Sequence, residues 1–159
     1  MLDYTQHNER FVRMLRASGM RDPSIVSAVS ANPRHLFIDQ YYQMTKAGRR
    51  LSRVTDKGPT TRQLNRIYSD AAIPTHQHPP SSSSQPSLVA SMLQNLGLRE
   101  GHRVLEVGAG TGWNAALMGH IVGDSGRVTT VDIQADVTRR ARRHLRRARS
   151  SNVTVITGD

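Results

Sequence analysis

The chain contains no cysteine. That excludes disulfides and thiolate metal sites and fits a reducing compartment. Lysine is nearly absent: of 22 basic residues, only Lys46 and Lys57 are lysines. Aromatic residues make up 4% of the chain, few for a surface that stacks nucleobases. No apolar run approaches the roughly 18 residues a membrane span needs. The opening stretch Met1-Leu2-Asp3-Tyr4-Thr5-Gln6 lacks the apolar core of a secretory signal. These absences predict a soluble protein of the cytoplasm. Acidic residues are also scarce, leaving a formal net charge of +10. Such an excess attracts phosphate backbones and anionic surfaces, and it suits an enzyme acting on acidic peptides. The preference for arginine over lysine equally fits a GC-rich genome.

The 159 residues suffice for one domain with a core. Apolar residues make up 36%, below the usual globular share. The deficit falls mostly in the first half, which is expected to be loosely packed or rich in loops. Residues 1–44 read as helical. Phe11, Met14 and Leu15 share one helical face, and Asp22-Pro23-Ser24 is a helix start. Asn32-Pro33 ends that pattern. Residues 45–80 show no clear period and read as a long loop with a short strand around Ala71-Ala72-Ile73. Ser81 to Ser84 resembles a linker, but Gln85-Pro86-Ser87 opens a helix with the stripe Leu88, Val89, Met92, Leu93 and Leu96, stopped by Gly97. The expected division is a helical and loop segment over 1–80, on the substrate side, and a cofactor-binding half-domain over 81–159.

From residue 103 the pattern sharpens. Arg103–Val107 is a strand, Gly108-Ala109-Gly110-Thr111-Gly112 a glycine-rich turn, and Trp113 to Val122 a helix. Arg127–Val131 is a second strand ending at Asp132. A helix of about a dozen residues and a third strand, Val153–Ile156, follow. Alternating strands and helices imply a parallel, doubly wound α/β sheet. The glycine turn lets a ligand approach the backbone at a helix N-terminus. Asp132 lies 22 residues after Gly110, where an acid accepts hydrogen bonds from ribose hydroxyls. This alone permits a nicotinamide cofactor. Trp113 stands where a dinucleotide fingerprint places its third glycine, and Glu106 precedes the turn by two residues.

The stretch Glu106-Val107-Gly108-Ala109-Gly110-Thr111-Gly112 resembles motif I of class I methyltransferases. Upstream, Asn32-Pro33-Arg34-His35-Leu36-Phe37, Tyr68-Ser69-Asp70-Ala71-Ala72-Ile73-Pro74 and Ser82-Ser83-Ser84-Gln85-Pro86-Ser87 resemble three segments of protein-L-isoaspartate O-methyltransferases. The resemblance covers most of residues 25–159. It implies a Rossmann-like fold that binds S-adenosyl-L-methionine. Gly108, Gly110 and Gly112 would line the methionine portion, Asp132 would grip the ribose and Asp159 would sit near the adenine amine, with Glu106, Ala109 and Ile133 as further cofactor-binding residues. The substrate would be a protein or peptide bearing an isoaspartyl or aspartyl carboxylate. Ser84, with Ser82 second, is the candidate for hydrogen bonding that carboxylate; the bland alternative is capping of the following helix.

Ser82 and Ser83 replace the family's threonine and isoleucine. Serine-rich versions resemble a branch associated with actinobacterial peptide clusters, so repair and peptide tailoring both stay open. The family's sheet has strand order 3-2-1-4-5-7-6, and this sequence ends after strand three. The resemblance therefore implies an incomplete fold of three strands, weak cofactor binding, little turnover, and self-association through an apolar edge at Val104–Val107. Two rivals remain. One is a nucleic-acid methyltransferase, suggested by Arg139, Arg140, Arg142, Arg143, Arg146, Arg147 and Arg149; Val137, Ala141, Leu145 and Ala148 favour reading these as a solvated helix face. The other is a non-catalytic remnant. His76 and His78 form a His-x-His pair without an acid or cysteine in the same motif, so no metal site is expected. His35 is expected to pack or hydrogen bond locally.

Overall fold

A computed structural model describes residues 4–78 and 80–159. Two amphipathic helices begin the chain. Helix α1 (Tyr4–Ala17) buries Phe11 and Leu15, and α2 (Pro23–Ala31) buries Ile25, Ala28 and Val29. Asp22 caps α2 by accepting from the Ser24 amide at 2.8 Å, with Pro23 at the first helical position. A short 3-10 helix, Arg34–Phe37, leads into the hairpin β1 (Gln40–Thr45) and β2 (Gly48–Arg53). Helix α3 (Thr61–Ile67) begins with a capping box formed by Thr60 and Gln63. A second hairpin pairs β3 (Ile73–Gln77) with β4 (Pro80–Ser83).

The remainder is a βαβαβ unit. Helix α4 (Pro86–Leu96) is stopped by Gly97 at φ +60°. Strand β5 (Arg103–Val107), helix α5 (Trp113–Val122), strand β6 (Arg127–Asp132), helix α6 (Ala135–Arg147) and strand β7 (Val153–Thr157) follow. The three strands form a parallel sheet ordered β5-β6-β7. This is the Rossmann-like α/β arrangement expected from the sequence, with the glycine turn at the carboxyl end of the first strand.

Two expectations about the first half fail. Residues 45–80 are not a long loop: they hold the end of the first hairpin, α3 and β3. The first half is not loosely packed either. Phe11, Leu15, Ile25, Phe37, Ile38, Leu64 and Ile67 are each at most 2% exposed and belong to one buried cluster with Trp113, Leu117 and Val128. Few apolar residues suffice because the large ones on α1, α2 and α3 face that cluster.

The stripe expected on α4 splits in two. Val89 and Leu93 are buried, whereas Leu88, Met92 and Leu96 are exposed. One face of the sheet is likewise uncovered. Leu105 and Val107 on β5 are 67% and 83% exposed, and Ile156 on β7 is 46% exposed. Val104 and Glu106, pointing the other way, are half-buried.

Candidate functional site

The turn after β5 is held from several sides. The amides of Gly108 and Ala109 both donate to Val131 O, at 2.8 and 3.0 Å. The Gly110 amide donates to Asp132 Oδ2 at 3.3 Å, and the Gln134 amide to Asp132 Oδ1 at 3.1 Å. The Asp132 carboxylate thus ties the glycine turn to the end of β6, and its remaining lone pairs can still accept. His144 of α6, buried, faces Thr111 O through Nδ1 at 2.9 Å. Its Nε2 lies 3.4 Å from Asp39 Oδ2, which also accepts from Arg143 at 2.6 Å. Burial would raise the Asp39 carboxyl, but its interactions with His144 and with the Arg143 guanidinium hold it below the ordinary carboxylate range.

Glu106 points back under the turn. Its Oε1 accepts from Asn114 Nδ2 at 2.8 Å and its Oε2 from the Thr130 hydroxyl at 2.5 Å. Burial raises its pKa, against the lowering effect of these two bonds.

Glu106, Gly108, Ala109, Gly110 and Thr111 share a cavity of about 280 Å³ with Ser82, Ser83, Ser84 and Met92. A Cβ built on Gly108 would meet nothing within 4 Å, and one on Gly110 would lie 3.5 Å from Ser82 O. The turn and the serine segment therefore face each other across open space. Gly112 differs. It caps α5, and a Cβ there would come within 3.3 Å of Leu145 Cγ and 3.5 Å of Ala141 Cα. It serves the packing of α5 on α6. Asp132, Ile133, 65% exposed, and Asp159 are not among the residues lining the cavity.

The serines alternate. Ser83 is buried, and its hydroxyl accepts from Arg34 Nη2 at 3.2 Å. Ser82 and Ser84 are exposed on the cavity side, and their hydroxyls have no partner among the described residues. Ser84 does not cap α4. Asp70 does that work, accepting from the Ser87 amide at 2.8 Å and from Gln85 Nε2 at 3.2 Å. Capping therefore does not account for the Ser84 hydroxyl.

Arg34 anchors this segment. It is fully buried, and its guanidinium donates to the carbonyls of Ile67 and Ser69 (3.0 and 3.1 Å), Ala71 (3.3 Å), Ser83 (3.5 Å) and Ser84 (2.8 Å). It also lies 5.3 Å from the Trp113 ring centre. Burial, then the nearby Arg66 charge, pull its pKa down to about 9. One cation thus draws together the end of α3, the turn before β3 and the serine segment.

The sequence profile of the protein-L-isoaspartate(D-aspartate) O-methyltransferases (PCMT) matches residues 6–159. The chain belongs to that family. A relative from Archaeoglobus fulgidus, protein-L-isoaspartate O-methyltransferase 2, is 33% identical over 99% of this chain and 62% of its own length. A solved protein-L-isoaspartate O-methyltransferase is 32% identical, with a TM-score of 0.75 over 96% of this chain and 42% of that one. A Plasmodium falciparum protein described as a putative member, solved with S-adenosyl-L-homocysteine, has a TM-score of 0.70 at 16% identity and covers 96% of this chain and 62% of that one, a likeness of fold. The chain spans less than two thirds of the length of each of these three.

The three segments that resemble the family meet at one place. Arg34 comes from the first, Asp70 from the second and the serines from the third. Trp113 is a buried packing residue whose indole N–H donates to Asn32 O at 3.0 Å. His35 bonds the Tyr68 hydroxyl at 2.6 Å and stacks on Tyr4, as expected of a locally packed histidine. His76 pairs with Asp136 at 2.7 Å, and among the described residues no three metal-ligating side chains cluster. No helix among them is long and apolar enough to cross a membrane.

Sequence reasoning did not single out Arg34, Asp70, Asn114, Thr130 or His144. The first two lay within quoted motifs without an assigned role. On α6 the arginines are less free than a solvated face implies. Arg142 donates to Val155 O, Arg143 to Asp39 and Arg147 to Leu36 O. Val137, Ala141 and Leu145 are buried as expected, and Ala148 is half-buried.

Proposed function

We propose that this chain binds S-adenosyl-L-methionine and directs its methyl group to an isoaspartyl or aspartyl carboxylate of a protein or peptide. The observation that carries the reading is the pair of hydroxyls, Ser82 and Ser84, without a partner among the described residues and across one cavity from the glycine turn. Membership of the isoaspartate methyltransferase family supports it.

The residues present fit the cofactor. Gly108 leaves room beside the backbone, and Asp132 retains acceptor capacity at the end of β6. A cavity of about 280 Å³ lies at the small end for ligand sites. It suits the methionine portion, with Gly108, Ala109 and Gly110 as its wall and Glu106 beneath. Asp132 would hold the ribose outside it, Ile133 would flank that sugar, and Asp159 would reach the adenine amine. Gly112 supports the turn from behind. The cofactor supplies an electrophilic methyl group on a sulfonium.

The protein's part is then positional. A carboxylate with a pKa near 4 is ionised at neutral pH, so the acceptor needs no general base. Ser84 and Ser82 donate hydrogen bonds to the carboxylate and hold one oxygen toward the methyl group. Arg34 fixes the Ser83 and Ser84 carbonyls and hence the direction of both hydroxyls. In the resulting methyl ester the methoxy group leaves far more readily than the oxygen of a carboxylate, so a neighbouring backbone amide nitrogen can attack the ester carbonyl, give up its proton and expel methanol to form a succinimide.

Repair of isoaspartyl protein and tailoring of an aspartyl peptide both satisfy this chemistry. The nucleic-acid alternative draws little support, since three of the α6 arginines are tied to the protein itself. The test compares wild type with Ser84→Ala. Methyl transfer to an isoaspartyl peptide should fall, while affinity for S-adenosylhomocysteine stays near that of wild type. Unchanged turnover would sink the role given to Ser84.

A further inference from the structure

The hairpin β1–β2 carries charge that the protein does not use. Lys46, Arg49, Arg50 and Arg53 are exposed, and none has an ion-pair partner among the described residues. This differs from α6, where Arg142, Arg143 and Arg147 bond to neighbouring elements. The hairpin packs along β3, and Gln40 Nε2 donates to Thr75 O at 3.4 Å.

Between the two hairpins lies a cleft of about 390 Å³, walled by Tyr42, Gln43, Met44, Arg49, Arg66 and Pro74. Pro74 is the cross-strand partner of Ser82. Paired residues of adjacent antiparallel strands sit roughly 5 Å apart, so the cleft begins one strand away from the serine segment. Arg66 spends one nitrogen on Ala72 O at 3.0 Å, and Arg49 makes no side-chain bond among the described residues. Met44, 74% exposed, gives the cleft an apolar lip.

We propose that this cleft is a docking site for an acidic segment of the polypeptide whose carboxylate is methylated. Arg49 and Arg66 pair with Asp or Glu side chains a few residues from the acceptor, Met44 and Tyr42 cover the intervening chain, and the acceptor reaches Ser82 and Ser84 one strand over. Two guanidinium groups present forked donors that match carboxylates. The inference rests on the carboxyl-methylation reading and adds the sequence context of the substrate: acidic flanks.

The test is equilibrium binding of fluorescent peptides to the chain, without cofactor. One peptide carries isoaspartate flanked by glutamates; its control carries glutamines instead. The acidic peptide should bind about tenfold tighter, a factor typical of gaining one close charge pair. Arg49→Glu should erase that difference, and the milder Arg49→Gln, which leaves Arg66 in place, should reduce it. Arg139→Glu, on the exposed side of α6, makes the same change in net charge as Arg49→Glu and should leave the difference intact. Circular dichroism establishes that each variant is folded. Equal binding of the two peptides overturns the proposal. So does equal weakening by Arg49→Glu and Arg139→Glu, which would mean net charge alone. Tighter binding of a single-stranded RNA of matched charge, lost in Arg49→Glu, also overturns it. Charge-dependent binding without methyl transfer would leave the cleft standing and remove the methylation reading; methyl transfer that ignores the flanks would do the reverse.

Discussion

A Cβ on Gly110 would lie 3.5 Å from the backbone oxygen of Ser82. The two segments assigned to cofactor and substrate thus approach to ordinary contact distance at one point. The sequence reads this turn as glycine-rich so that a ligand can approach the backbone. The structure refines this: the space admits a methyl group, and the obstacle is the backbone at φ +50°. Gly110→Ala should cost on the order of 1 kcal/mol of stability, the usual cost of a left-handed residue with a Cβ. It should also narrow the gap between turn and serines. A bulkier Gly110→Val should abolish binding of S-adenosylhomocysteine by calorimetry while a folded protein remains. Full affinity in the valine variant would place the ligand elsewhere.

Asp132 has two duties, holding the Gly110 and Gln134 amides and offering acceptors to a sugar. Asp132→Ala should weaken S-adenosylhomocysteine by about 1–3 kcal/mol. Asp132→Asn keeps an acceptor and should lose less. Equal affinity across all three proteins would refute the ribose assignment.

Arg34 is the residue whose loss should be felt most in the fold. Replacing it with methionine strands the carbonyls of Ile67, Ser69, Ala71, Ser83 and Ser84. Breaking such a buried charged network costs on the order of 3–5 kcal/mol, a large part of a small domain's stability. Arg34→Lys keeps the charge but not the fork, so chemical denaturation should place it between the two. A wild-type midpoint for the methionine variant would contradict the anchoring role.

His35 gives the fold a pH dependence. Burial, then the charges of Arg147 and His7, pull its pKa from 6.5 to about 4. The folded state therefore binds the proton less tightly than the unfolded chain. Stability from keeping His35 neutral is complete above about pH 6.5 and is lost as pH falls toward 4. The melting temperature should drop across that window, and His35→Gln should flatten the drop. An unchanged slope in the variant would assign it to other groups.

The cofactor half was legible because its signals are local. Gly108 to Gly112, the strands on either side and Asp132 form a pattern within about thirty residues, and the strand order follows from it. The region from 40 to 83 was not. On β1 and β2 the exposure pattern does not alternate cleanly, so Gln40–Thr45 and Gly48–Arg53 leave no period-two signal. Thr60-Thr61-Arg62-Gln63 does spell a capping box and would have announced α3. Arg34 could not have been read at all. All but one of its partners, the Ser83 hydroxyl, are backbone carbonyls more than thirty residues away, and a carbonyl carries no mark of the residue that owns it.

The most direct measurement is a single-turnover assay with the chain in excess over a labelled isoaspartyl peptide and S-adenosylmethionine, read by intact mass. Excess protein registers even one slow transfer, as expected where β5 leaves its apolar residues uncovered beside the cavity. The account predicts the gain of one methyl group, labile to base as an ester is, absent from the matching peptide in which glutamine replaces isoaspartate, and strongly reduced in Ser84→Ala. No methyl gain, or a gain that persists unchanged without the isoaspartyl carboxylate, would contradict it.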